Sequence, residues 1–428
     1  MSTFVVAANR LPMELRDGAW QPSPGGLVSA LNPVLEHSNG VWVGSAYGEA
    51  PPNYPAVALT SADYENFYEG MCNATLWPLY HDLIVTPQFH QHWWESYVDV
   101  NRRFCDTIIS VADPGATVWV QDYQLQLVPG MLRAARPDLT IGFFLHIPFP
   151  SPDLFHQLPW REEMVRGLAG ADLIGFHVER SASNFSQLLD MVEVDRHPPV
   201  VALPISIEIP TPATDHQVRA LREQLGTPRT LIVGVDRLDY TKGILPRLQA
   251  LEAAYEHGLR DATMVQIATP SRERVAHYQL TRADVEREVG RINGRFGSLG
   301  RPIVHYLHTT VTKDELIALY TAADVMAVTP FKDGMNLVAK EYVSCHPDGS
   351  GALVLSEFAG AAEELAQAHL CNPYDVTSIE TALRAAIDGL GTPESEAAMT
   401  AMYRHIADHD VHRWAREFVD TLAAARHP

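Results

Sequence analysis

Leu231-Ile-Val-Gly-Val235 runs directly into Asp236-Arg-Leu-Asp-Tyr-Thr-Lys-Gly243. The first five residues have the short, apolar, β-branched character of a strand buried on both faces, and a polar turn follows. Arg237 and Lys242 therefore stand just past a strand's C-terminal end. Two cations there are costly unless an anion meets them. A planar guanidinium fork and a compact ammonium together suit a diphosphate. Salt bridges to Asp236 or Asp239 account for the same residues equally well.

The same pattern recurs on both sides of this stretch. Upstream, Phe4–Ala8, Val118–Val120, Ile141–Ile147, Asp172–Phe176 and Val200–Ile205 read as strands. From Leu231–Val235 onward, Met264–Ile267, Ile303–Tyr306, Val325–Val328 and Leu353–Leu355 read the same way. The longer segments between them carry helical patterns, which predicts an α/β protein with two doubly wound parallel sheets. Ile209-Pro-Thr-Pro212 and Gly226-Thr-Pro228 break the regularity between the two series. We place domains at 1–215 and 216–400, with a helical tail at 401–428. Val411, Trp414, Phe418 and Leu422 share one face of that tail, so it needs a surface to cover and is expected to pack back onto the N-terminal domain. Two such domains facing each other would set their strand C-termini around a shared cleft.

Bulk properties agree with two folded domains. The chain has 428 residues, 46% hydrophobic and 20% charged. Its net charge of −20 argues against nucleic acid or an anionic membrane as partner, so a phosphate ligand needs a local basic pocket. Four cysteines without a CxxC pair make no disulfide framework, which suits the cytoplasm. Met1–Ala8 lacks a basic n-region and a cleavage site, and reads as a first strand. No run approaches the roughly 20 apolar residues of a membrane span. Oligomeric state is left open, a homo-oligomer included.

Other strand ends carry candidate chemistry. Thr329-Pro-Phe-Lys-Asp-Gly-Met-Asn336 leads from a strand into a helix that begins near Leu337, whose N-terminus can receive phosphate oxygens. Glu341, about one turn in, suits ribose hydroxyls, and Asp333 sits on the loop before it. A capped helix with solvated charges is the plainer reading. His146 ends the apolar run Phe143–His146 before Ile147-Pro-Phe-Pro150. Asn9-Arg10 follows the first strand, with Gly25 and Gly26 opening the next helix, as a phosphate turn would, although an ordinary strand–turn–helix explains a lone Gly-Gly better. Tyr68, Trp77 and Tyr80 offer rings with polar tips that suit a sugar or a phosphate, although core packing explains this stretch better on its own. Asp122 and Arg272 also lie just past strands. No convincing metal site is present: there is no HExxH, and Asp236 and Asp239 bracket a cation. A GxSxG motif is absent too.

Taken in order from Phe4 to Tyr374, these segments resemble the trehalose-6-phosphate synthases, the family-20 glycosyltransferases of GT-B fold. The strongest stretches are Ile141–Pro150, Gly234–Gly243, Asp333–Val343, Leu355–Ala362 and Asn372–Tyr374. The resemblance implies two Rossmann-like domains about a central cleft. It also implies transfer of glucose from a nucleoside-diphosphate glucose to glucose 6-phosphate, with retention and without a metal or cofactor. By position, Gly25, Gly26, Arg237, Lys242 and the stretch Leu337, Val338, Ala339, Lys340 and Glu341 fall to the donor, and Asp333 to its glucosyl unit. Arg10, Tyr68 and Arg272 fall to the acceptor phosphate and Asp122 to its sugar. Trp77, His146 and Ile147 lie near the reacting sugars and the choice of anomer. The N-terminal domain would then bind the acceptor and the C-terminal one the nucleotide sugar.

Three stretches depart from the family's pattern. Gln121-Asp-Tyr-Gln124 stands for its usual His-Asp-Tyr-His, Trp42-Val-Gly-Ser-Ala-Tyr-Gly48 for its WxGWxG, and Leu188–Val201 is short. The alternatives are a related transferase with another acceptor, such as a glucosylglycerol-phosphate synthase, a pseudo-glycosyltransferase, or a non-catalytic sugar-phosphate sensor.

Overall fold

The computed structural model describes residues 2–16, 18–23, 26–83, 85–272 and 276–426. Contacts divide the chain into two units, Met1–Glu208 with Val411–Pro428, and Ile209–Asp410. The expected boundaries were 215 and 400; the contacts divide the chain after Glu208 and after Asp410. The helical tail is two helices, Pro393–Asp408 and Val411–Arg426, broken at His409-Asp410, and the second alone belongs to the first unit.

The first unit is built on a seven-stranded sheet. Its strands are β1 (Ser2–Arg10), β4 (Val41–Tyr47), β5 (Ala56–Leu59), β6 (Ala112–Gln121), β7 (Thr140–Phe144), β8 (Leu173–Phe176) and β9 (Val200–Ala202). A small hairpin, β2 (Met13–Arg16) and β3 (Ala19–Pro22), stands apart. The order is β5-β4-β1-β6-β7-β8-β9, every neighbour parallel. Central strands such as β7 are buried along their whole length, which is why they read as unbroken apolar runs.

Helix Val411–Arg426 closes this unit. Val411 N–H donates to Ile207 O at 3.1 Å, and the Trp414 indole N–H to Leu203 O at 3.2 Å. Phe418 stacks on Trp119 with centroids 4.4 Å apart, and Trp414 meets Phe144 edge-on at 5.1 Å. The apolar stripe Val411, Trp414, Phe418, Leu422 is thus buried against β6, β7 and β8. Gly142 makes the approach possible: a Cβ there would sit 2.8 Å from both Phe418 Cε1 and Leu422 Cδ2.

The second unit has six parallel strands in the order β12-β11-β10-β13-β14-β15. These are β10 (Thr230–Arg237), β11 (Ala262–Thr269), β12 (Val304–Leu307), β13 (Val325–Val328), β14 (Ala352–Ser356) and β15 (His369–Cys371). Both sheets are doubly wound. The order reverses between β1 and β6 in one and between β10 and β13 in the other. In open α/β sheets, ligands gather outside the carboxyl ends of the strands that flank such a reversal.

Candidate active site

In the first unit that place is the end of β1 and β6. Arg10 is the last residue of β1, its side chain exposed, and its Nη2 donates to the Tyr68 hydroxyl at 3.3 Å. The Trp42 indole N–H holds Arg10 O at 2.9 Å from the neighbouring strand. Tyr68 lies on a wide-turned π-helical stretch, Tyr64–Leu76, where Asn73 Nδ2 donates to Tyr68 O at 2.6 Å. Asn73 Oδ1 accepts from the Tyr123 hydroxyl at 3.0 Å, tying this stretch to the turn after β6. Trp77 is buried next to Tyr123, with centroids 5.8 Å apart.

Residues 121 and 122 grip His146. Asp122 has φ +73°, a backbone rarely taken by a non-glycine residue, and its N–H donates to Phe144 O at 2.8 Å. Its Oδ1 accepts the His146 main-chain N–H at 3.1 Å. Gln121 Oε1 lies 2.8 Å from His146 Nε2. Burial pushes the His146 imidazole down to about 3, so the ring is neutral at physiological pH. Ile147 beside it is buried. Gly26 opens helix Gly26–Ser38, and Gly25 lies outside the described residues.

In the second unit the corresponding place is the end of β10 and β13. Asp239 Oδ1 accepts the Thr241 N–H at 2.9 Å, and its Oδ2 accepts from Arg272 Nη1 and the Tyr278 hydroxyl, each at 3.0 Å. Burial would raise this carboxyl, but Arg272, Arg237 and Lys242 offset that and hold it below its ordinary value. One buried carboxylate therefore sits in the field of three cations, all of them named from the sequence. Arg237 itself is exposed.

Lys242 Nζ meets Asp333 Oδ2 at 2.5 Å, and Asn336 Nδ2 donates to the same oxygen at 3.1 Å. Asn336, at φ +81°, also caps helix Leu337–Ser344 through its Oδ1 on Ala339 N–H. Arg247 holds the turn from behind, its side chain 2% exposed. It donates to Asp236, Gln266, Thr329 and the main-chain oxygen of Lys242. Gly243 stands at φ +61°, where a Cβ would meet Thr329 O at 2.0 Å. Burial raises Glu341 to about 7, and the Tyr320 hydroxyl donates to its Oε2 at 3.3 Å.

The side chains of the helix stretch differ in where they turn. Lys340 turns its ammonium to Glu364 at 2.5 Å and is 1% exposed, so any contact it makes with a nucleotide is through its main chain. Ala339 is fully buried, while Leu337 and Val338 are half-buried. In place of salt bridges within Asp236–Lys242, Asp236 takes Arg247, Asp239 takes Arg272 and Lys242 takes Asp333. Sequence reasoning missed Arg247, Tyr278 and Gln121 as partners. Gln121 was marked only as a departure from the family's pattern, and Arg247 and Tyr278, inside helices, carried no signal. Among the described residues no group of three or more His, Cys, Asp or Glu is placed to hold a metal.

A family model described as glycosyltransferase family 20 matches residues 2–424. The chain belongs to glycosyltransferase family 20. Within the family it is 51% identical to a trehalose-6-phosphate synthase of Mycobacterium sp. (strain JLS), over 99% of this chain and 96% of that one. Among solved structures it is similar to a UDP-forming α,α-trehalose-phosphate synthase from Burkholderia xenovorans in complex with glucose-6-phosphate. That likeness has TM-score 0.89 and 33% identity, covering 98% of this chain and 99% of the other. An E. coli structure bound with UDP-2-fluoro glucose gives TM-score 0.87 and 32% identity, covering 98% of each chain. These likenesses make the fold GT-B, with two Rossmann-like domains, and make this family member an enzyme of the trehalose-6-phosphate synthase kind.

Proposed function

We propose that the chain transfers glucose from UDP-glucose to glucose 6-phosphate, giving α,α-trehalose 6-phosphate and UDP. The observation that carries this is the group of Arg237, Lys242 and Arg272 about the buried Asp239, with Lys242 also bonded to Asp333. An acidic protein concentrates cations at one pair of strand ends for phosphate. The substrates named for the two solved relatives, glucose-6-phosphate and a UDP-glucose analogue, fit that group.

In this reading the second unit takes the donor. Arg237 and Lys242 hold the diphosphate, and Gly25 and Gly26 contact the donor. The main chain of Leu337–Lys340 binds the nucleotide, Glu341 its ribose, and Asp333 the glucosyl hydroxyls. The acceptor phosphate goes to Arg10, Tyr68 and Arg272, and its sugar to Asp122. Trp77, His146 and Ile147 shape the space at the reacting carbons. The bond from the donor's anomeric carbon to the diphosphate breaks while the acceptor's anomeric oxygen attacks from the same face. The proton of that hydroxyl passes to the departing diphosphate, and α configuration is retained. Arg237 and Lys242 stabilise charge as it develops on the leaving group. The phosphate anchor orients the attacking hydroxyl.

The two cations do what a metal would do elsewhere, so transfer needs no added metal or cofactor and proceeds unchanged in EDTA. Its buried thiols and small-molecule substrates suit the cytoplasm. Among the described residues no helix is long and apolar enough to cross a membrane. Arg237→Ala tests the leaving-group role. UDP release should fall on the order of 10²–10³-fold in kcat, and a near-normal kcat contradicts the role.

A further inference from the structure

We propose that Gln121 is a positioning residue: its Oε1 fixes His146 as the Nε2–H tautomer and leaves Nδ1 a bare acceptor for a hydroxyl of the transferred sugar. The last clause rests on the function proposed above.

Gln121 ends β6 and is fully buried. His146 follows β7 and is only partly buried, so part of it is open to a ligand. Among the described residues, Gln121 Oε1 at 2.8 Å is the one hydrogen-bond partner of the imidazole ring. The other bond, Asp122 Oδ1 to the main-chain N–H at 3.1 Å, fixes the backbone and says nothing about the ring. A carbonyl oxygen accepts only, so the nitrogen facing it carries the proton. The neutral imidazole has one proton to place, and Nδ1 is left with a lone pair.

The surroundings keep the ring neutral and in place. Phe144, His177 and Trp414 pack around it at centroid distances of 4.9, 5.2 and 6.1 Å. Among the described residues no carboxylate bonds the ring, and burial disfavours the imidazolium. A neutral, fixed acceptor orients a sugar hydroxyl without exchanging a proton with it. The reaction asks nothing more there, because the departing diphosphate takes the proton. Gln121 Nε2 is buried and unpartnered among the described residues, so no second group fixes the amide. The reversed amide would donate to Nε2 and put the ring proton on Nδ1, which is the opposite prediction.

The test is the histidine tautomer in the intact protein, read by long-range ¹H–¹⁵N correlation with ¹⁵N-histidine and assigned by the signal lost in His146→Ala. The expected pattern is a protonated Nε2 and an unprotonated Nδ1. A protonated Nδ1 overturns the proposal. Gln121→Met removes the acceptor and should give a mixture of tautomers, with kcat lower on the order of 10- to 100-fold. Gln121→Glu keeps an accepting oxygen and should keep Nε2 protonated. An unmixed tautomer and unchanged kcat in Gln121→Met also overturn it. If the methionine variant does not fold, the wild-type and glutamate spectra decide. The expected tautomer in a protein that fails to transfer glucose would count against the function and not against the tautomer.

Discussion

Lys242 Nζ and Asp333 Oδ2 lie 2.5 Å apart, joining the turn after β10 to the loop after β13 across 91 residues of sequence. Each is assigned to a different part of one donor molecule, the diphosphate and the glucosyl unit. Lys242→Met and Asp333→Asn should each lower kcat/KM on the order of 10²-fold. The double variant should lose much less than the product of the two, because the residues act as one unit. Strict additivity, measured by initial rates of UDP release, would show that the bond has no part in donor binding.

Glu341 gives a pH dependence of definite sign. Its folded-state pKa is raised from 4.5 to about 7. Between those values the folded protein holds a proton that the unfolded chain has released. The contribution to stability is therefore full below the ordinary carboxylate value and is lost as pH rises through about 7. Glu341→Gln should raise the melting temperature at pH above 7 and leave it nearly unchanged well below 4.5. It should also raise KM for UDP-glucose, since an amide accepts a ribose hydroxyl less strongly than a carboxylate. Melting curves across pH that coincide for both proteins would refute the electrostatic part.

Gly243 joins the Lys242 turn to the next helix at φ +61°, with Thr329 O at 2.0 Å from where a Cβ would stand. Gly243→Ala should cost more than the about 1–3 kcal/mol of left-handed backbone strain alone. Relieving the clash means moving either this turn or the end of β13. Chemical denaturation should show the loss, and kcat should fall with it. Full activity in a stably folded variant would mean the turn is less constrained than its packing indicates.

Much of this site was legible in the sequence because local pattern locates strand ends. Arg10, Asp122, His146, Arg237 and Asp333 were all read as lying at or beyond strand ends; in the structure Arg10 and Arg237 close β1 and β10, while Asp122, His146 and Asp333 follow β6, β7 and β13. What could not be read is the pairing between strand ends. Asp239 takes Arg272, 33 residues on; His146 takes Gln121, 25 residues back; Lys340 takes Glu364, 24 residues on. Parallel strands bring such partners together through the order of the sheet, which periodicity along the chain does not carry. Arg247 shows the same limit. It occupies a helix position where an arginine is ordinarily solvated, and the structure buries it behind the Lys242 turn with four partners. The break at His409-Asp410 was hidden for another reason: the helical pattern continues on both sides of it.

The most direct test of the central claim is to incubate the purified protein with UDP-glucose and glucose 6-phosphate, follow UDP release, and identify the product by NMR. The account predicts release that depends on glucose 6-phosphate, and a disaccharide phosphate whose two anomeric carbons are both α and joined to each other. Folded protein that binds glucose 6-phosphate in calorimetry, yet releases no UDP and forms no such product, would contradict it.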